Sequence, residues 1–254
     1  MFHKKLFRSL GACRGLAVAL IAFGSAQVGL AQSTIFNIPT TDVVETKKAY
    51  AEFDWFMQAP GAGSGSTRLQ TFAPRLVVGV APGLEAGVNV SVTHTGGGNQ
   101  SFIQPNAKYK FYSDDDMGTA ASAGFVWLTP MNNRSVTDSF ALIYGNFSKK
   151  FTGGDYGPRI TIGPYGLVDT VSGTPGTKAG VIAGYEQPLH SNISFVADWY
   201  SGISFFGYFT PGVSITLPHN GLFNAGYAIG NDSYNGNTTK DRLLFLYYGM
   251  TFGG

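Results

Sequence analysis

Leu84-Glu85-Ala86-Gly87-Val88-Asn89-Val90-Ser91-Val92-Thr93 is the stretch that decides the fold. Every second residue is apolar: Leu84, Ala86, Val88, Val90 and Val92. Those between, Glu85, Gly87, Asn89, Ser91 and Thr93, are polar or small. Successive side chains on a strand point to opposite faces, so the stretch predicts a strand greasy on one side and hydrophilic on the other. The contrast recurs upstream, where Ala49, Ala51, Phe53 and Trp55 oppose Lys48, Tyr50, Glu52 and Asp54. Downstream, Ile103, Pro105, Ala107, Tyr109 and Phe111 oppose Gln104, Asn106, Lys108, Lys110 and Tyr112. Further on, Ile193, Phe195, Ala197 and Trp199 oppose Ser194, Val196, Asp198 and Tyr200.

Softer alternation over 71–80, 119–128, 140–150, 159–169, 178–187, 205–217, 222–230 and 242–252 fills the remaining chain. The sum is about twelve strands, with ten or fourteen as alternatives; an even number returns both ends to one side, as bacterial barrels require. Tight connections are expected at Pro82-Gly83, Ser113-Asp114-Asp115-Asp116, Gly153-Gly154-Asp155, His190-Ser191-Asn192 and Pro218-His219-Asn220-Gly221. Longer polar ones are expected at 60–67, 95–100, 130–139, 170–177 and 231–240, with 201–204 an unusually short exception. Short turns on one side and long loops on the other are the habit of outer-membrane barrels.

Composition agrees. Only 13% of the 254 residues are charged, 14% are aromatic and 35 are glycine, against about 25% charged in a soluble domain. Such a chain suits an outer face that meets lipid. The net charge of +2 is too small to point to nucleic acid. Beyond the N-terminus no run approaches about 18 apolar residues, so spanning helices are not expected. A sheet in lipid must then close on itself, because an open edge would leave backbone groups without partners. The expected fold is all-β: a closed antiparallel transmembrane β-barrel.

The N-terminus reads as an address. Lys4, Lys5, Arg8 and Arg14 precede an apolar run from Leu16 to Phe23, and small residues lead to Gly29-Leu30-Ala31. This basic, apolar, small-residue order is that of a cleaved secretory signal, with an uncleaved anchor as the alternative. Residues 1–31 are thus expected as signal peptide, cut near Ala31 after Sec-type export, and 32–254 as the barrel domain. The only cysteine, Cys13, lies before the apolar run, so the mature chain carries no thiol, disulfide or lipid-anchoring cysteine.

Aromatics gather near expected strand ends: Trp55 and Phe56, Tyr109 and Phe111, Trp127, Trp199, Tyr247 and Tyr248. These suit interfacial girdles, with packed β-core aromatics as the alternative. Two features cut across the pattern. Pro74, Pro105, Pro164 and Pro211 fall inside expected strands, where proline removes a ladder donor; bulges near the outer rim would accommodate them. Phe252 is followed by Gly253 and Gly254, whereas barrels of this class usually end on an aromatic residue read by the assembly machinery.

With apolar faces outward, the lumen is expected to be lined by Glu52, Asp54, Arg75, Glu85, Asn89, Asn106, Lys108, Lys110, Arg159, Asp169, Glu186 and Asp198. Both signs occur on neighbouring strands. They are either an ion-pair network stiffening a narrow barrel or a mixed-charge constriction that passes small solutes. No enzyme is expected. His190-Ser191-Asn192 superficially resembles the His–Ser–Asn grouping of outer-membrane phospholipase A, but adjacent residues in a turn beside Pro188 predict side chains that diverge. His94 and His219 read as solvated strand-end residues. Asp114-Asp115-Asp116 lacks the ligand spacing of a calcium loop and reads as a solvated turn. No cofactor, metal or nucleic-acid partner is expected.

Three patches carry a family resemblance: Gly83-Leu84-Glu85-Ala86-Gly87-Val88, Pro105-Asn106-Ala107-Lys108-Tyr109-Lys110 and Gly184-Tyr185. Through them the chain resembles the transporter-like barrels associated with phenol-degradation gene clusters. The resemblance implies a twelve-stranded channel moving aromatic or other small hydrophobic compounds, with no catalytic residues to carry over. The expected function is a passive outer-membrane channel of a Gram-negative bacterium. Its expected partners are outer-membrane lipids, small-molecule solutes and the barrel-assembly machinery. The alternatives are a structural or surface-interaction barrel whose external loops, particularly 60–67 and 231–240, contact partners, and a lipid-modifying enzyme.

Overall fold

The computed structural model describes residues 33–59, 69–95, 97–132, 138–152, 154–168, 176–231 and 242–253. The expected leader, loop 60–67, Asp169 and most of 231–240 lie outside them.

Twelve strands account for most of the described chain: β1 Ala49–Gln58, β2 Gln70–Ala81, β3 Leu84–Thr95, β4 Gly98–Asp114, β5 Thr119–Pro130 and β6 Phe140–Lys150, then β7 Arg159–Val168, β8 Ala179–His190, β9 Ile193–Tyr200, β10 Tyr208–Leu217, β11 Gly221–Gly230 and β12 Arg242–Phe252. Each pairs antiparallel with its neighbours in sequence, and β12 returns to β1 with Ala49 opposite Phe252 and Gln58 opposite Leu243. The barrel is closed. No strand edge is left for lipid to starve of hydrogen bonds.

The alternation sorts the two faces as expected. Leu76, Val88, Ile143, Ile162, Phe195 and Phe209 are exposed on the outside, while Val77, Leu142, Thr161, Val196 and Thr210, each next in the chain to one of them, are buried within. An exposed belt of large apolar side chains around a closed sheet is the exterior of a membrane-spanning barrel. Phe53, Tyr109, Phe111, Phe125, Trp199 and Tyr248 belong to it. Two expected girdle residues do not. Phe56 packs inward at 4.1 Å from Phe245, and Tyr247 is buried with its hydroxyl donating to the Ile35 carbonyl at 2.8 Å.

The start of β1, the end of β12 and the tight turns share one end, which we take as the periplasmic end. His219 and Asn220, both with φ near +60°, close the β10–β11 hairpin there. Paired left-handed residues twist a two-residue turn the way its strands require, and asparagine tolerates that region. At the other end the expected loop 95–100 is a hairpin instead: β3 runs to Thr95 and β4 starts at Gly98, with those two residues paired. Conversely, the connection after β9 extends to 207, because Phe206 folds back against Tyr200.

The four prolines expected inside strands do not sit at bulges. Pro74 pairs with Phe53, Pro105 with Val88, Pro164 with Val181 and Pro211 with Ala197. On its other side each leaves a gap with the register unchanged: β2–β3 pairing passes from Phe72–Val92 to Arg75–Asn89, and β10–β11 from Phe209–Ile229 to Gly212–Gly226. A proline thus costs the ladder one local break on one flank, and the opposite flank holds the strand in place. The register shifts occur elsewhere, at Gly79/Ala81, Lys110/Tyr112 and Pro188/His190, all near the periplasmic end.

Candidate functional site in the barrel lumen

The lumen is occupied by the chain itself. Residues 33–40 form a tight hairpin inside the barrel: Thr34 pairs with Pro39, Ile35 N donates to Ile38 O at 3.0 Å, and Thr40 N donates to Ser33 O at 3.0 Å. Phe36 and Asn37 form its tip. Residues 41–48 then lead down to β1. Ser33, Ile35, Ile38, Thr40 and Thr41 are almost wholly buried.

Each side of the hairpin meets a different wall. Its apolar side chains join Leu142, Tyr165, Ile182, Val196, Tyr200, Leu222, Phe245 and Tyr247 in one dry cluster. Glycines make the room. A Cβ on Gly184 would lie 2.6 Å from both Ile35 Cδ1 and Ile38 Cδ1, and a Cβ on Gly212 or Gly226 would lie 2.5 or 2.7 Å from the Phe36 ring. The tip is held by one carboxylate: Asp198 Oδ2 accepts the backbone N–H groups of Phe36, Asn37 and Ile38 at 3.1, 2.5 and 3.0 Å. On the β5–β6 side Asn146 donates to Pro39 O and the hydroxyls of Thr41 and Ser148 meet at 2.6 Å. Asn224 donates to Ile35 O at 3.2 Å.

At the base, charges clasp Ser33. Its hydroxyl donates to Glu85 Oε1 at 2.6 Å, and its carbonyl accepts from Lys108 Nζ at 2.9 Å. Lys108 also pairs with Glu85 at 3.3 Å, both side chains only 2% exposed. Arg75 reaches Ser33 Oγ at 2.9 Å, Thr34 Oγ1 at 3.1 Å and Glu52 at 3.4 Å. Glu85 further accepts from Val44 N at 2.8 Å, and Glu52 from the Tyr50 hydroxyl at 2.6 Å.

The fold is that of an outer-membrane barrel. This barrel is similar to the solved KdgM porin, at 12% identity and a TM-score of 0.50, over 80% of this chain and 99% of that one. It is similar also to an outer membrane channel from Pseudomonas putida F1, at 9% identity and a TM-score of 0.50, over 84% of this chain and 98% of that one. No family model matches the sequence, and no curated protein does. At such identities the likeness is one of fold.

Of the residues expected to line the lumen, Glu52, Arg75, Glu85 and Lys108 form the cluster around Ser33. Asp54 takes the next inward position on β1, and Lys110 the next on β4 toward the periplasm. Arg159 donates to Glu186 at 2.6 and 2.9 Å and to Asp42 at 2.5 Å. Asn89 and Asn106 meet each other at 3.2 Å, Asp198 holds the hairpin tip, and Asp169 lies outside the described residues. The expectations missed the hairpin, and with it Ser33, Phe36 and Asp42. The expected divergence of His190 and Ser191 is corrected: Ser191 Oγ lies 3.1 Å from His190 Nδ1, both residues exposed in the turn. Asn192 Oδ1 lies 2.9 Å from that same nitrogen. A catalytic histidine needs separate nitrogens for its nucleophile and its orienting partner, so the contact is a turn contact. Asp114 Oδ1 accepts from Met117 N at 2.9 Å, again within its own turn.

Two expectations follow from the charges. Lys108→Met should strand Glu85 in a buried site, costing about 3–5 kcal/mol, read as a lower denaturant midpoint of barrel unfolding. Pairing it with Glu85→Gln should recover much of the loss. Asp42 responds to pH. Burial pushes its carboxyl up, but the Arg159 guanidinium, helped by Lys108 and Lys110, outweighs this and holds it below the usual carboxylate range. Its hold on the docked segment is therefore complete above the ordinary aspartate value of about 3.9 and fades as pH falls through its lowered value. The Asp42→Asn protein should lack this part of any rise in ion current on acidification, measured in bilayers against the unaltered protein.

Proposed function

We propose that the protein is a passive outer-membrane channel for small molecules, exported with its leader cut near Ala31 and folded by the barrel-assembly machinery into the outer membrane of a Gram-negative bacterium. One observation carries this reading. The barrel fills its lumen with a chain segment joined to it at 49, and reserves inward glycines such as Gly184, Gly212 and Gly226 for that segment. A barrel stiffened by its own side chains alone has no use for such space. The dry cluster around Phe36 supports aromatic or other small hydrophobic compounds as solutes, as the resemblance to the phenol-cluster barrels implies.

The paired charges at the hairpin base favour a second reading, a structural barrel permanently closed by its own segment. Planar-bilayer recording of the purified barrel separates the two. Discrete ion currents support the channel; silence from both the intact and the hairpin-deleted protein supports the closed barrel.

A further inference from the structure

The hairpin does not touch the wall evenly. Most inward side chains on β6 to β12 are buried against it, among them Ile182 at 0%, Tyr200 at 1% and Phe245 at 0% exposure. On β2 to β4, outward of Arg75 and Lys108, the inward side chains bind one another instead. Thr71 and Thr93 share a hydroxyl contact at 2.8 Å, Gln104 donates to Ser91 at 2.9 Å, Asn106 donates to Asn89 at 3.2 Å, and Asn89 donates to Gln104 at 3.5 Å. Except for Ser91 they are half-buried. Partly exposed side chains on the inside of a closed barrel face space that no described residue fills. That space lies beside the hairpin and ends, toward the periplasm, at the Ser33 clasp.

Its chemistry is two-sided. The ladder consists of amides and hydroxyls with no charge, each group able to offer both a donor and an acceptor. The flanking strands supply Phe56 on β1, Val126 on β5 and Tyr144 on β6, the partly buried margin of the dry cluster. We propose that this outer vestibule is a binding site for an uncharged amphipathic solute with one hydroxyl-rich edge and one apolar or aromatic face. Asn89, Gln104 and Asn106 receive the edge, and Phe56, Val126 and Tyr144 receive the face. A charged solute would surrender its hydration to a ladder without counter-charge, because Arg75, Glu52, Glu85 and Lys108 pair with one another beneath, and Asp54, the next inward group on β1, offers an anion no attraction. The inference rests on the channel reading and names what such a channel selects.

The test is equilibrium binding of arbutin, an uncharged aryl glucoside, to the full-length barrel in detergent, with phenyl phosphate as the charged comparison. Arbutin is expected to bind about tenfold or more tightly than phenyl phosphate, and Gln104→Met with Asn106→Leu should weaken it about tenfold. Both proteins must run as folded barrels on unheated gels; Gln104→Glu alone, which retains hydrogen bonding but adds charge, replaces the double variant if that one does not fold. Equal binding of the two solutes, or arbutin binding indifferent to Gln104 and Asn106, overturns the inference even when the hairpin-deleted barrel conducts ions. Silence of that barrel in bilayers with Gln104-dependent arbutin binding intact overturns the channel and leaves the site standing.

Discussion

Deleting residues 33–40 is expected to raise single-channel conductance several-fold while the barrel remains folded. The hairpin takes up the middle of the lumen, and the wall does not depend on it: all twelve strands pair with their neighbours through their own backbones. Its loss would uncover Phe245, Ile182 and Tyr200 and the glycine-lined space facing Phe36. Water entering there would cost some stability, since apolar surface is worth about 25 cal/mol per Å², so a lower unfolding midpoint should accompany the larger current. Unchanged conductance would mean that ions never pass the hairpin.

Asp198→Ala should have the next largest effect, and by a single atom group. Three consecutive backbone N–H groups at the hairpin tip converge on Asp198 Oδ2, and among the described residues no cation pairs with this carboxylate. Alanine would leave those donors buried without an acceptor, at roughly 1–3 kcal/mol each before relaxation. Even 3 kcal/mol corresponds to about a hundredfold shift between docked and undocked hairpin. The expected record is a barrel that flickers into the large conductance of the deletion. Asp198→Asn retains an acceptor oxygen and should fall between. The register of β9 with its neighbours runs through backbone, so Val196 and Tyr200 should remain in place. An Asp198→Ala protein indistinguishable from the unaltered one would show that the tip is held by packing of Phe36 alone.

The wall was legible because lipid outside and a polar or occupied lumen inside impose one simple rule on every strand. Leu84 to Thr93 obeys it residue by residue. The hairpin was illegible because Ile35-Phe36-Asn37-Ile38-Pro39 is too short for periodicity and its partners are 107 to 212 residues away. Its signature was nevertheless written in the wall. The glycines of 222–230 blurred the strand pattern, and Gly226 is there because a ring fills its place. Position along the strand points to Phe56 and Tyr247 as girdle aromatics, but the strand's parity turns them inward. The prolines misled in another way: sequence shows the missing donor but not that an intact flank can carry the strand past it. Charge pairing was visible only as proximity between strands. That Ser33 sits between Glu85, Arg75 and Lys108 depends on a chain segment entering from below.

The hairpin also sets an order of events in biogenesis. Its contacts reach from residue 35 to Tyr247, a separation of 212 residues, and include strands on both sides of the seam where β12 meets β1. Final docking must therefore wait until the last strand has been laid down and the ring sealed. Contacts so distant in sequence form slowly, so refolding into detergent micelles should show two phases: early acquisition of sheet, then a later step seen by Phe36-dependent quenching or protease protection near residue 40. A newly closed barrel would pass through a leaky interval before it acquires its stopper.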